Sequence, residues 1–252
     1  MKLHHRILGE GEPLYILHGL FGYSDNWQTL GRQFAEDYQV VLVDQRNHGR
    51  SPHSDEFNYQ VMAEDLLELM NDLGHDKINL LGHSMGGKTS LEFAKNYPNR
   101  LNKMIVVDIG LKQYQSHHDE IIAGLQSIDL TVVKTRGEAD DQLAKYVPHI
   151  GVRQFLLKNL YWVEKGELGW RMNIPGIVKN MPNVLAAINI TQSNVDTLFI
   201  RGALSNYISE DDYEDLASRF THFKIHSVEK AGHWVHAEVA DEFYRTVMDF
   251  LA

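Results

Sequence analysis

The apolar positions of the first hundred residues fall into short blocks. "LYILHGL" (14–20), "VVLVD" (40–44), "INLLG" (78–82) and "MIVVDIG" (104–110) are runs rich in Val, Ile and Leu. Continuous apolar runs of that length suit strands buried on both faces. Between them, "DNWQTLGRQFAED" (25–37), "YQVMAEDLLELMNDLG" (59–74) and "GGKTSLEFAKNYP" (86–98) read as helices. Their apolar residues recur every three or four positions, the spacing of one packed helical face. The N-terminal "MKLHHRILGEGEPLY" reads as a strand and a turn. Alternating strands and helices with short connections predict a parallel sheet covered on both sides.

The rhythm breaks after Gly110. From 111 to 194 no β run stands out; the segment is helical and mixed, with large apolar residues in "QFLLKNLYWV" and "GWRMNIPGIVKNM". Strand and helix order returns with "TLFIRG" (197–202), a helix opening at "SEDDYEDLASRF", the strand "FKIHSV" (223–228) and a last helix from about 236 to 251. Both ends of the interruption must rejoin the sheet, which predicts a cap packed on it. The expected organisation is an α/β core of residues 1–110 and 195–252, with a helical cap, 111–194, inserted between the sixth and seventh strands.

Composition narrows the function. The chain has 252 residues, with 24 basic and 34 acidic side chains, a net charge of −10. That balance argues against nucleic acid or an anionic membrane surface as the main partner, since both demand basic patches. With no cysteine, disulfides, thiolate metal sites and cysteine nucleophiles are excluded. No apolar run has the length of a membrane span, and the N-terminus lacks the apolar region of a signal peptide. A cytoplasmic protein without a membrane span is expected, as a monomer or homodimer.

The chemistry is concentrated in "GHSMG" (82–86), a G-x-S-x-G motif lying after a predicted strand and before a predicted helix. In that frame a serine sits on a tight, strained turn and the glycines remove Cβ atoms that would collide. Ser84 is thus the candidate nucleophile. A donor pair for an oxyanion is expected from the N–H of Met85, next to the serine, and of Leu20 in "LHGLFG" (17–22). The base is sought after the last strand, where "SVEKAGHWVHAE" offers His233, with His236 three residues on. Asp108, ending "MIVVDIG", lies at the carboxyl edge of the strand beside the nucleophile's own, where open α/β sheets bind ligands. Glu210, Asp211 and Asp212 are alternative acids, although they read as the first turn of a helix capped by Ser209. Asp44, Arg46, His48 and Gly49 read as a structural loop, and His18 as a loop-stabilising residue. His117 and His118 read as a solvated cap surface, so no metal is expected.

These motifs together resemble the α/β-hydrolase superfamily over essentially the whole chain: "HGLFG", "VDQRNHGRS", "GHSMGGK" and "AGHW" match in order and spacing. Within it, "LLGHSMGGKTSLEFA", the early "VVDIG" and Ser205 at the position where an acid is usual are similar to YbfF-type, ABHD11-like esterases. The resemblance implies the α/β-hydrolase fold and a triad of Ser84, His233 and Asp108. It also implies that Ser205 orients the Asp–His pair, and that acyl esters or thioesters, acyl-CoA included, are hydrolysed without a cofactor. Phe21, Lys88, Trp162, Met172 and Trp234 are candidate substrate contacts. Among them the cap residues, with Phe155, Leu156, Tyr161 and Ile174, are expected to cover an acyl pocket; Lys88 is either an anion contact or a structural lysine. A carbon–carbon bond hydrolase or lyase on the same scaffold, and a hydrolase-fold protein that binds ligand without turnover, are the competing readings.

Overall fold

A computed structural model describes residues 1–116 and 118–252. The chain runs β1 (His5–Leu8), β2 (Pro13–Leu17), α1 (Gln28–Phe34), β3 (Gln39–Val43), α2 (Tyr59–Asp72), β4 (Ile78–His83), α3 (Met85–Asn96) and β5 (Leu101–Val107). Next come α4 (Asp119–Ser127), α5 (Arg136–Leu143), α6 (Ile150–Leu157), β6 (Leu160–Glu164), β7 (Glu167–Trp170), α7 (Ile174–Lys179) and α8 (Met181–Leu185). It ends with β8 (Asp196–Gly202), α9 (Tyr213–Arg219), β9 (Phe223–Val228), α10 (Val235–Glu238) and α11 (Ala240–Leu251). Among the described residues the main sheet has seven strands in the order β1-β3-β2-β4-β5-β8-β9, with β1 antiparallel and the rest parallel.

Successive residues of each strand feed opposite faces, as the period of two requires. Leu14 and Ile16 of β2 pack with Leu30 and Phe34 of α1 and Phe243 and Val247 of α11. Tyr15 and Leu17 pack on the other face with Met62 and Leu66 of α2 and Phe93 of α3. That second cluster continues into the cap through Leu125, Leu143, Leu156 and Ile177. None of the described helices is long and apolar enough to cross a membrane.

Two expectations are corrected. The insertion leaves the sheet after its fifth strand in chain order, β5, and the chain returns at β8, the sixth strand of that sheet, because five strands and not six precede residue 111. The segment 111–194 also contains a β-hairpin, β6–β7, closed by a turn in which Gly166 has φ +87°. Its alternation is hidden in the sequence because Trp162 and Val163 are both exposed, each at 52 %. Only Leu160 and Leu168 of the hairpin are buried in the core, so its apolar residues do not alternate with burial.

Both necks of the insertion are tied to α3. Lys88 is among the most deeply buried long side chains. Its Nζ donates to the backbone oxygens of Lys112 (2.8 Å) and Ala186, one on each neck, and lies 4.8 Å from the Tyr114 ring centre. Tyr59 Oη donates to Val184 O (2.5 Å), Tyr114 N–H to Leu185 O (2.9 Å) and Ile188 N–H to Leu111 O (2.8 Å). Burial pushes the Lys88 ammonium down to about 7.

The loops at the carboxyl edge are held by buried neutral histidines. His18 Nδ1–H donates to Gly19 O (2.8 Å) while its Nε2 accepts from Gln45 N–H (3.0 Å). His48 Nδ1–H donates to Arg46 O (3.0 Å) and its Nε2 accepts from Phe21 N–H (3.1 Å). A second proton on either ring would remove the acceptor that its loop uses. Asp44 accepts from Ser24 N–H (2.7 Å) and Arg50 N–H (2.9 Å), and Arg46 pairs with buried Asp65 (2.6 Å), so this loop is structural. His236 in α10 stacks on Trp27 (4.1 Å, 14°), and its Nδ1 has no partner among the described residues.

Burial moves His236 from the ordinary 6.5 down to about 3, and His48 likewise. The unfolded chain therefore takes up protons that the folded one refuses, and stability falls as pH drops from 6.5 towards 3. His236→Phe keeps the stack and removes one such group, which at pH 5 is worth about 2 kcal/mol. Urea unfolding at pH 8 and pH 5 should show a smaller acid loss for this variant than for the wild type; equal losses would contradict the account. Lys88 acts at the other end of the scale. Between its lowered value and 10.5 the unfolded chain holds the extra proton, so stability rises with pH. The wild type should gain on Lys88→Met between pH 7 and 9.5, as read from urea midpoints.

Candidate active site

Three segments meet above the carboxyl ends of β4, β5 and β9. Ser84 stands between β4 and α3 with φ +53° and ψ −117°, a conformation that costs an L-residue about 1–3 kcal/mol unless its surroundings enforce it. They do so by close approach. A Cβ on Gly82 would lie 2.2 Å from Gly86 O, and one on Gly86 would lie 2.4 Å from Leu17 O. The glycines of the motif are therefore steric requirements of the corner. Ser84 N–H donates to Val107 O (2.9 Å), tying the corner to β5.

Asp108 follows β5 with φ +49° and is fully buried. Its N–H donates to Ile200 O (2.7 Å), and its Oδ1 accepts from Gly202 N–H (3.0 Å). Its Oδ2 accepts from His233 Nδ1–H (2.8 Å) and from the Ser205 hydroxyl. The other ring nitrogen of His233, Nε2, lies 3.0 Å from Ser84 Oγ. A Cβ on Gly202 would sit 2.1 Å from Gly232 O, so β8 and the histidine's loop approach as closely as backbones allow. The structure thus brings together Ser84, His233, Asp108 and Ser205 in one bonded chain.

The alternative acids stand apart. Glu210–Asp212 form a short 3-10 turn; Asp211 is exposed, and Asp212 accepts from Ser209 N–H (2.8 Å) and pairs with Lys112 (2.7 Å). His83 faces away from the serine oxygen: its Nε2–H donates to His233 O (2.8 Å), and burial holds its own basicity well below the usual range. Among the described residues the backbone N–H groups of Leu20 and Met85 have no protein acceptor. Phe21, beside Leu20, has φ +60° and is held by His48.

A cavity of about 250 Å³ surrounds Ser84 and His233, walled by Leu20, Phe21, Phe155, Leu156, Tyr207 and Trp234. Phe21 and Trp234 are therefore in position to touch a ligand. Trp162 and Met172 are not: Trp162 sits on the exposed hairpin and Met172 is buried in the main core. Tyr161 and Ile174 line none of this cavity either. Lys88 binds the neck carbonyls instead of offering its charge to an anion. Tyr207 is a residue that the sequence did not suggest. Its ring stacks on the His233 imidazole at 4.0 Å and 19°, and its N–H donates to Ser205 Oγ (3.3 Å). Such a ring fixes the plane of the imidazole. Its only sequence signal is its place two residues after Ser205. Among the described residues no three His, Asp or Glu side chains are grouped to hold a metal; His117 lies outside the described residues.

Comparison with known proteins shows the family. A family profile described as "alpha/beta hydrolase fold" matches residues 12–138. The chain is 35% identical to Esterase YbfF of Escherichia coli (strain K12), over 95% of its own length and 92% of the relative's. It is 36% identical to the sn-1-specific diacylglycerol lipase ABHD11 of Danio rerio, over 96% and 79%. Among solved structures, a marine microorganism esterase superposes with a TM-score of 0.96 at 41% identity, covering 99% of both chains. The chain belongs to the α/β-hydrolase fold family, among its YbfF- and ABHD11-like members.

Proposed function

We propose that the protein is a serine hydrolase of acyl esters and thioesters, acyl-CoA included, working through Ser84, His233 and Asp108. The observation that carries the reading is the single imidazole between Ser84 Oγ (3.0 Å) and Asp108 Oδ2 (2.8 Å). The names of the relatives, an esterase and a diacylglycerol lipase, support the substrate class.

Ser84 Oγ attacks the substrate carbonyl carbon as its proton passes to His233 Nε2. The carbonyl oxygen, now an oxyanion, takes the N–H groups of Leu20 and Met85. These donors are already fixed before reaction, so the charge meets an organised site rather than reorienting water. Asp108 accepts from Nδ1–H, which fixes the tautomer with Nε2 facing the serine and favours the imidazolium that forms. The tetrahedral intermediate collapses as His233 gives its proton to the leaving oxygen or sulfur. Water then attacks the acyl-enzyme, its proton goes to Nε2, and Ser84 departs with that proton. Ser205 and the Gly202 N–H share the charge of Asp108, and Tyr207 holds the imidazole plane.

Hydrolysis of p-nitrophenyl butanoate tests these roles separately. Ser84→Ala should lose about 10⁴-fold or more in kcat, as should Asp108→Asn through the wrong histidine tautomer. Ser205→Ala removes one hydrogen bond to a buried carboxylate and should cost about 10-fold or more. Asp211→Asn should be silent. A collapse of activity in Asp211→Asn, with Asp108→Asn active, would overturn the choice of acid.

A further inference from the structure

Ser84 borders two cavities of unequal size, and His233 belongs to only one of them. The larger, about 250 Å³, carries His233 and Trp234 on its wall. It adjoins a further cavity of about 680 Å³, with Val152, Phe155 and Trp234 as shared walls and Ile150, Gln154 and Lys158 beyond. The smaller is an annex of about 30 Å³ that shares Leu20, Ser84, His118 and Tyr207 with the larger and runs on past them to Tyr59, Lys88, Tyr114, Val184 and Leu185.

If Ser84 and His233 act as proposed above, this asymmetry decides which half of an ester lies where. The leaving atom must receive its proton from His233 Nε2, so the leaving group lies on the His233 side. The oxyanion occupies the space between the Leu20 and Met85 amides. One substituent of the tetrahedral carbon remains, the acyl chain, and it points away from His233 into the annex. About 30 Å³ is only two to three times the least space that admits one water molecule, so the annex suits an acyl chain of a few carbons. Its far wall is tied by hydrogen bonds. The ammonium of Lys88 is held by both neck carbonyls, Tyr59 Oη by Val184 O and Leu185 O by the Tyr114 amide.

We propose that the substrates are esters or thioesters of short acyl groups, acetyl to butanoyl, on bulky leaving groups that are apolar next to the reacting carbonyl. The acyl annex closed by Lys88 sets the first limit. The paired cavities walled by Val152, Phe155, Trp234 and Ile150 accept the leaving group.

Two substrate series read the two halves independently. With p-nitrophenol as constant leaving group, kcat/KM should be highest between acetate and butanoate and fall at least 10-fold by hexanoate. With butanoate as constant acyl group, it should rise at least 10-fold from ethyl to octyl or 2-(2-naphthyl)ethyl esters, whose alcohols have similar acidity. Leu185→Ala should move the acyl optimum to hexanoate or longer, with Val184→Ala as a second opening of the same wall. Phe155→Ala should change the alcohol preference and leave the acyl optimum in place. A rate that is flat or rising from butanoate to octanoate overturns the annex assignment while leaving the triad reading intact. An acyl optimum that neither annex variant moves overturns it equally. Failure of the wild type to cleave any ester, with Ser84 inert, overturns the triad reading and this proposal together.

Discussion

The buried carboxylate of Asp108 is the point on which the site converges. It takes hydrogen bonds from the Gly202 amide, the Ser205 hydroxyl and His233 Nδ1–H, so β5, β8 and the two loops that follow β8 and β9 share one anchor. A carboxylate removed from water is costly unless its lone pairs are filled, and here partners are supplied by chain far apart in sequence. The left-handed backbone at Asp108 is one consequence, because the chain must turn sharply out of β5 to deliver the carboxylate beneath the imidazole. Removing the carboxyl group would leave the histidine without its orienting acceptor and Ser205 and Gly202 without theirs.

Strain of this kind gathers around the cavity. Phe21, Ser84 and Asp108, all with positive φ, each lie at the carboxyl end of a parallel strand. Each is held by a neighbour's backbone or a buried ring: His48 on Phe21, Val107 on Ser84 and Ile200 on Asp108. The fold stores these conformations because the sheet beneath is rigid and dry, with interior strand residues such as Leu80, Val106 and Phe199 fully buried. The neutral tautomers of His18 and His48 belong to the same design, since their loop shape requires one donor and one acceptor on each ring.

The core was legible because its signals are local. Apolar runs of strand length, separated by helical periods, give the parallel sheet. The order of strands then places Ser84, Asp108 and His233 along one edge before any contact is known. What the sequence did not disclose depends on contacts between distant segments. Tyr207 stacks on an imidazole 26 positions away, and Lys88 reaches carbonyls of residues 112 and 186. The cap was least readable: a large apolar residue looks the same whether it faces a cavity, as Phe155 does, or the main core, as Met172 does. Trp162 illustrates the third case, an aromatic at an exposed hairpin tip.

The central claim is that Ser84 is activated through His233, and a fluorophosphonate probe tests it most directly because it reacts with an activated serine regardless of the natural substrate. The wild type should gain one adduct, mapped by mass spectrometry to the peptide containing Ser84, and His233→Ala should label far more slowly. Absence of an adduct on Ser84, or equal labelling of His233→Ala, would contradict the account.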